Sequence, residues 1–190
     1  MTPLFARVLG DAAFSTLPPR VQALHRATGT RTYAGSAQVE AGSSWLARLC
    51  ARATALPPSA STVPVEVEIT SDAGGERWTR RFGAHRMPSR LWQAGGLLHE
   101  RLGAVTFAFA LHVEDGALHW RVRHVRVIGV PLPAALFRGV RAREFEAGGR
   151  YGFDVEASLP LAGLLVRYRG WLDISPAAHL IDVNKSSLGA

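Results

Sequence analysis

From Val63 to about Ile174 the chain is a succession of segments in which apolar and polar residues alternate, separated by short Gly- and Asp-containing turns. A period of two sends successive side chains to opposite faces, and such segments joined by tight turns can only pair as antiparallel hairpins. In the first, Val63, Val65, Val67 and Ile69 alternate with Pro64, Glu66 and Glu68, and Asp72-Ala73-Gly74-Gly75 turns the chain into Glu76 to Phe82. A four-residue loop sets Ile69 opposite Trp78, Val65 opposite Phe82, and Glu66 opposite Arg81 on the outer face. The same register places Arg80 opposite Val67, on the apolar face between Trp78 and Phe82.

The later hairpins repeat this logic. Gly95-Gly96 pairs Leu91 with Glu100, which puts a second charge among aliphatics, between Leu98 and Leu102. Val105, Phe107, Phe109, Leu111 and Val113 run to Asp115-Gly116, a favoured two-residue turn, and return through Leu118, Trp120, Val122, His124 and Arg126. This unbroken alternation predicts His124 and Arg126 on the apolar side, opposite Phe107 and Val105. Gly129-Val130-Pro131-Leu132-Pro133 interrupts the sheet, and Ala134 to Val140 reads as a short apolar helix, a candidate lid, before a strand near Arg141 to Phe145. The last hairpin pairs Tyr151, Phe153, Val155 and Ala157 with Val166, Tyr168, Gly170 and Leu172.

Helices are expected mostly in the first third: Pro3 to Leu9, then Leu17 to His25 with prolines at its start, where they are tolerated. Between them and the hairpins, Arg31 to Glu40 suits a strand whose Gly35, Ala37 and other small residues let a second backbone come close. After Gly42, Ser43 or Ser44 can cap a helix with Leu46, Leu49, Cys50 and Ala53 on one stripe, ending at Pro57-Pro58. The fold class is therefore α+β: about eight to ten strands in a strongly curved antiparallel sheet or incomplete barrel, with lipocalin-like and START-like folds as the nearest architectures. A single domain is expected over 1–174, followed by a flexible tail over 175–190, where periodicity is lost.

Composition narrows the partners. Net charge is +7, yet all basic residues except Lys185 are arginines scattered along the strands, which argues for a solvated basic surface and against nucleic acid. No apolar run reaches the roughly 18–20 residues of a spanning helix, the opening residues lack a basic segment followed by an apolar stretch, so no secretory signal is expected, and the lone Cys50 excludes an internal disulfide. These features favour the cytoplasm. Gly-x-Ser-x-Gly, a phosphate loop and a dinucleotide glycine fingerprint are all missing, so no cofactor is implied. His112 and His119 oppose each other in the third hairpin, but two ligands without companions do not make a zinc site, and no metal is expected. His25, on a helix, reads as a hydrogen-bonded core residue.

Several stretches together resemble a bacterial family called domain of unknown function 4166. They are Leu24-His25, Tyr33-x-Gly35-x-Ala37-x-Val39, Val63-Pro64-Val65, Glu76-x-Trp78-x-Arg80-x-Phe82-Gly83, Leu98-x-Glu100-Arg101-Leu102-Gly103, Gly129 to Pro133 and Val166 to Leu172. Members of that family occur alone or behind a saccharopine-dehydrogenase-like Rossmann domain, and the resemblance implies a free-standing copy of the module here. It carries over no catalytic residues, although its pattern includes the positions of Arg80 and Glu100.

Arg80 and Glu100 suit each other as a buried pair, since a buried charge needs a partner. They also suit a cavity in which Arg80 grips a carboxylate or phosphate. The leading expectation is a module that binds a small amphipathic or lipid-like molecule with an anionic group. Arg80, Glu100, His124 and Arg126 would form its polar cluster, and Trp78, Phe82, Phe107, Phe109 and Trp120 its apolar wall. The competing readings are a structural or protein-interaction domain, with Gly129 to Val140 or self-association as its contact, and an enzyme on a hydrophobic substrate with Glu100 or His124 as acid or base.

Overall fold

The structure, a computed structural model, describes residues 2–174; the tail expected over 175–190 lies outside the described residues. Three short helices open the chain, α1 (Leu4–Leu9), α2 (Asp11–Ser15) and α3 (Pro19–Arg26). They are followed by β1 (Gly29–Ala41), α4 (Trp45–Thr54) and the run β2 (Ala60–Asp72), β3 (Gly75–Phe82), β4 (His85–Ala94), β5 (Leu97–Leu102), β6 (Val105–Glu114) and β7 (Ala117–Val127). A short β8 (Val130–Leu132), a 3₁₀ turn (Ala134–Phe137), β9 (Arg141–Ala147), β10 (Arg150–Leu159) and β11 (Gly163–Leu172) complete it.

The strand order β6-β5-β4-β3-β2-β1-β11-β10-β9-β7, with β6 also paired to β7, closes ten strands into a ring, and β8 adds an eleventh on β7. The sheet anticipated as curved or incomplete is thus a closed barrel, and closure removes the edges that such a sheet would otherwise expose. Hairpin registers follow the alternation: Ile69 faces Trp78, Val67 faces Arg80 and Val65 faces Phe82. Leu91 faces Glu100, and Asp154 and Glu156 face Arg169 and Arg167. Asp115 and Gly116 both have positive φ, 50° and 66°, as the mirror-image turn of a two-residue hairpin requires.

Two joints are non-local. In β1–β11, Ser36 pairs with Trp171 and Ala37 with Gly170. In β7–β9, pairing spans only Leu118 to Arg121, after which the strands diverge and the 3₁₀ turn covers the gap, burying Phe137 against Phe107 at 6.0 Å between ring centroids.

A ten-stranded ring is wider than the eight-stranded barrels whose side chains just fill the interior, so something else has to occupy part of it. At one end α1 to α3 form a plug. Phe5, Val21, Leu24 and His25 are buried there, and Phe5 stacks on His25 and approaches Trp120 at 5.5 Å and Trp78 at 6.3 Å. The N-terminus of α3, headed by prolines that offer no side-chain cap, receives one from β9: Arg20 N–H donates to Glu146 at 2.9 Å.

At the other end lies α4, capped by Ser44, whose Oγ accepts from Ala47 N–H. Its buried residues are Ala47 and Thr54, and Leu49, expected on the inner stripe, is 59% exposed. A helix lying across an opening has less surface to bury than one packed on a sheet, so a narrower stripe suffices. Among the described residues no helix is long and apolar enough to cross a membrane.

Candidate functional site: a polar cluster on the wall of an apolar cavity

Alternation on β3 points Glu76, Trp78, Arg80 and Phe82 inward, in that order from the helical plug towards the α4 end. Between plug and α4 the barrel retains a cavity of about 320 Å³, and Trp78, Arg80, Phe82, Glu100, Phe107, Phe109 and Trp120 all line it. Seven of the nine residues singled out from the sequence therefore converge on one space.

The other two do not. Phe109 pairs with Val122 but Ala108 pairs with His124, so Arg123 is an extra residue, a β-bulge. A bulge reverses the facing of everything beyond it. Val125 and Val127 turn inward, and His124 and Arg126, expected on the apolar face, are exposed on the outside. The sequence carried the sign of this: apolar residues fall at 118, 120 and 122, then at 125 and 127, a shift of phase by one.

Arg80 and Glu100 form the ion pair suggested by their neighbours, with Nη2 donating to Oε1 at 3.1 Å. Met87 stands opposite Arg80 and Leu91 opposite Glu100, so the guanidinium reaches diagonally across β4. Ser89 lies between, small enough to let it pass, and accepts from Nη1 at 2.9 Å. The guanidinium also lies 4.7 Å from the Trp78 ring centroid. Burial alone would weaken the arginine's hold on its proton, but the Glu100 carboxylate together with Tyr168 and Tyr151 outweighs it, and the pKa is raised. The pair is both closed and cavity-facing: side-chain exposures are 11% and 7%, and only two of five guanidinium N–H groups have these partners.

Four residues that the linear pattern did not mark as site residues complete the polar lining and its support. Glu144, buried on the cavity wall, accepts from His25 Nε2 at 2.5 Å, and Tyr151 lines the same wall. Burial, reinforced by Glu144, pushes the Tyr151 pKa well up. Tyr168, on the same wall, is pushed up to about 12, by burial first, against the lowering effect of Arg80. The two tyrosines therefore remain neutral hydroxyls. His25 is the hydrogen-bonded core residue anticipated, and its Nδ1 has no partner among the described residues. Glu144 and Glu146 share the inner face of a strand with polar residues on both faces, so alternation gave no signal there.

Nearer the plug, Glu76 is buried and accepts from Trp78 Nε1 at 2.7 Å. Burial raises its pKa, while His25 and the indole hydrogen bond work the other way. A carboxyl whose folded-state pKa lies above the usual 4.3 or so lends stability below that value and loses it as pH rises through the folded pKa. Gln at this position keeps an acceptor for Trp78 and removes the titration. The difference in Tm between Glu76→Gln and the parent protein is therefore expected to grow in favour of glutamine between about pH 4 and pH 7. A flat or falling difference in thermal melts across that range would contradict the assignment.

On the outside, His112 and His119 stack at 5.1 Å. Among the described residues no group of three or more His, Cys, Asp or Glu is placed to hold a metal.

A family model described as "Domain of unknown function (DUF4166)" matches residues 17–172. Among solved structures, the chain is similar to the crystal structure of Rv2717c from M. tuberculosis, at 12% identity and a TM-score of 0.40, over 82% of this chain and 97% of that one. The comparison with curated proteins finds no match.

Proposed function

Since the chain belongs to the DUF4166 family, which brings no assigned activity with it, we propose from the site alone that it binds a small amphipathic molecule bearing an anionic group inside its barrel. The observation that carries this reading is a cavity of about 320 Å³ whose aromatic and aliphatic wall is interrupted by Arg80, Glu100, Glu144, Tyr151 and Tyr168. Ligand pockets are commonly about 300–1,000 Å³, mostly apolar, with a few polar groups that fix orientation. The unused N–H groups of Arg80 would take the anionic head, and the Tyr168 hydroxyl is close enough to feel the same charge. The apolar body would lie against Phe82, Phe107, Phe109 and Val67.

Glu100 sets the affinity limit. An incoming anion shares Arg80 with a carboxylate already bound to it, so the head adds selectivity to a binding energy supplied mainly by apolar contact.

Titration with 11-(dansylamino)undecanoic acid tests the reading. Saturable binding at one site is expected, and the double variant Arg80→Met/Glu100→Gln, which removes both charges together, should weaken it about tenfold or more, since a charge-assisted hydrogen bond is worth about 1.5–3 kcal/mol. The methyl ester of the probe should bind the parent and the double variant alike. Absence of saturable binding, or an equal loss for acid and ester, would refute the anionic-head assignment.

A further inference from the structure

Six large apolar side chains are exposed among the described residues: Trp45, Leu49, Ile128, Val130, Leu136 and Leu161. Single exposed apolar residues need no explanation, but these six sit on three segments only. Those are α4, the stretch from the β7–β8 turn to the 3₁₀ turn, and the β10–β11 turn. Hydrogen bonds tie these segments into one rim around the α4 end of the barrel. Ser44 Oγ at the head of α4 donates to the Ala162 carbonyl at 2.7 Å. At its tail the Ala53 carbonyl accepts from Ala104 N–H at 3.3 Å, and the Ala104 carbonyl accepts in turn from Ile128 N–H at 2.8 Å. Gly139, just after the 3₁₀ turn, accepts from Ser158 N–H at 3.0 Å. The cavity reaches this rim, for Leu49, Ala53 and Phe137 line it as well.

Carboxylates are unevenly placed along the same axis, while exposed arginines occur at both ends. Residues 41–65, 101–106, 122–143 and 157–166, which build the rim, contain no Asp or Glu. They do contain Arg48, Arg52, Arg126 and Arg138, all exposed. The turns at the plug end carry Asp72, Glu114, Asp115 and Glu146. Apolar side chains set among arginines, with Glu40 the exposed carboxylate nearest them, paired across the ladder with Arg167, match the interface of an anionic bilayer. There the apolar groups enter the boundary between headgroups and acyl chains, and the guanidinium groups meet phosphates.

We propose that the α4 end of the barrel docks on an anionic lipid bilayer, bringing the cavity mouth to the lipid phase. The purpose of the contact rests on the pocket reading above, whereas the contact itself needs no ligand. Ile128 and Leu161 are 82% and 88% exposed, so charging them leaves the core untouched.

The test is co-sedimentation of the full chain with extruded vesicles of phosphatidylglycerol and phosphatidylcholine, against phosphatidylcholine alone. Binding to the anionic vesicles is expected, falling as salt screens the arginines. The double variant Ile128→Asp/Leu161→Asp should bind at least tenfold more weakly with an unchanged circular dichroism spectrum and melt. Trp45 fluorescence, compared with Trp45→Phe, should be quenched by brominated lipid in the parent protein. Equal sedimentation with neutral and anionic vesicles, undiminished binding by the double variant, or a dimer in solution that the double variant dissolves would overturn the proposal. Vesicle binding that survives in Arg80→Met/Glu100→Gln while the dansyl acid no longer binds in the cavity of any form would sink the pocket reading and leave the docking surface standing. The reverse result would sink docking alone.

Discussion

Replacing Arg80 alone by methionine is expected to cost about 3–5 kcal/mol of unfolding free energy, whereas Arg80→Met combined with Glu100→Gln should recover most of it. The reason is the asymmetry between removing one buried charge and removing both. The single variant leaves Glu100, 7% exposed, facing Leu91, Phe107 and other apolar neighbours with its principal cation gone. It also leaves Ser89 without the donor that occupies its hydroxyl. The double variant leaves two neutral side chains, a glutamine of the same shape as Glu100 and a methionine that keeps the apolar stem of Arg80 but ends short of the guanidinium that covers Trp78. Urea unfolding of the parent, both single variants and the double closes a thermodynamic cycle, and a coupling of about 2 kcal/mol or more between the positions is expected. Additive single effects would mean that the pair contributes nothing as a pair. The double variant is also the one needed for ligand titration, because its stability should stay near that of the parent.

Gly35→Ala is the second large effect, with a loss of about 3 kcal/mol or more, at the top of the usual range for overpacking. In a protein of this size that corresponds to a fall in Tm of roughly 6–12 °C. A Cβ at Gly35 would sit 1.9 Å from the Trp171 carbonyl oxygen, and one at Gly170 would sit 2.1 Å from the Ser36 carbonyl oxygen. Both obstacles are backbone, held in the β1–β11 ladder, so neither can turn away as a side chain could. This ladder joins the first strand of the barrel to the last, and prising it apart weakens the closure of the ring. Ala34→Ser, one residue away on an exposed position, should stay within about 0.5 kcal/mol. Equal melting temperatures for Gly35→Ala and Ala34→Ser would show that the strands can separate without penalty.

The close approach at Gly35 was legible in the run of small residues from Gly35 to Ala37, though its partner was not. A strand rich in small residues announces that some backbone comes near, but which one depends on how the sheet closes. The hairpin registers were legible for a different reason: a short turn leaves few ways to pair two strands, and of these only one buries Trp78 with Ile69 and Phe82 with Val65. Arg80 and Glu100 were found by the same argument, as charges trapped on the buried phase of their strands. His124 and Arg126 were misplaced because a bulge at Arg123 adds one residue to one strand only. Alternation read on either side of the bulge is correct, and it fails only when carried across.

Glu144, Tyr151 and Tyr168 belong to the cavity through pairings that no turn dictates. β9 meets β7 over four residues, and β11 meets β1 across nearly the full length of the chain. His25 reaches Glu144 only because α3 is driven into the end of the ring, 119 positions away in sequence.

The sequence by itself determined the antiparallel hairpins, the inward direction of Arg80 and Glu100, and the aromatic wall around them, because these depend on alternation and turn length, which are local. Tertiary structure alone decided that ten strands close, that helices plug one end while α4 crosses the other, and that a cavity remains between them. Those outcomes depend on the circumference of the ring and on the volume of what fills it, quantities that belong to the assembled barrel and to no single segment.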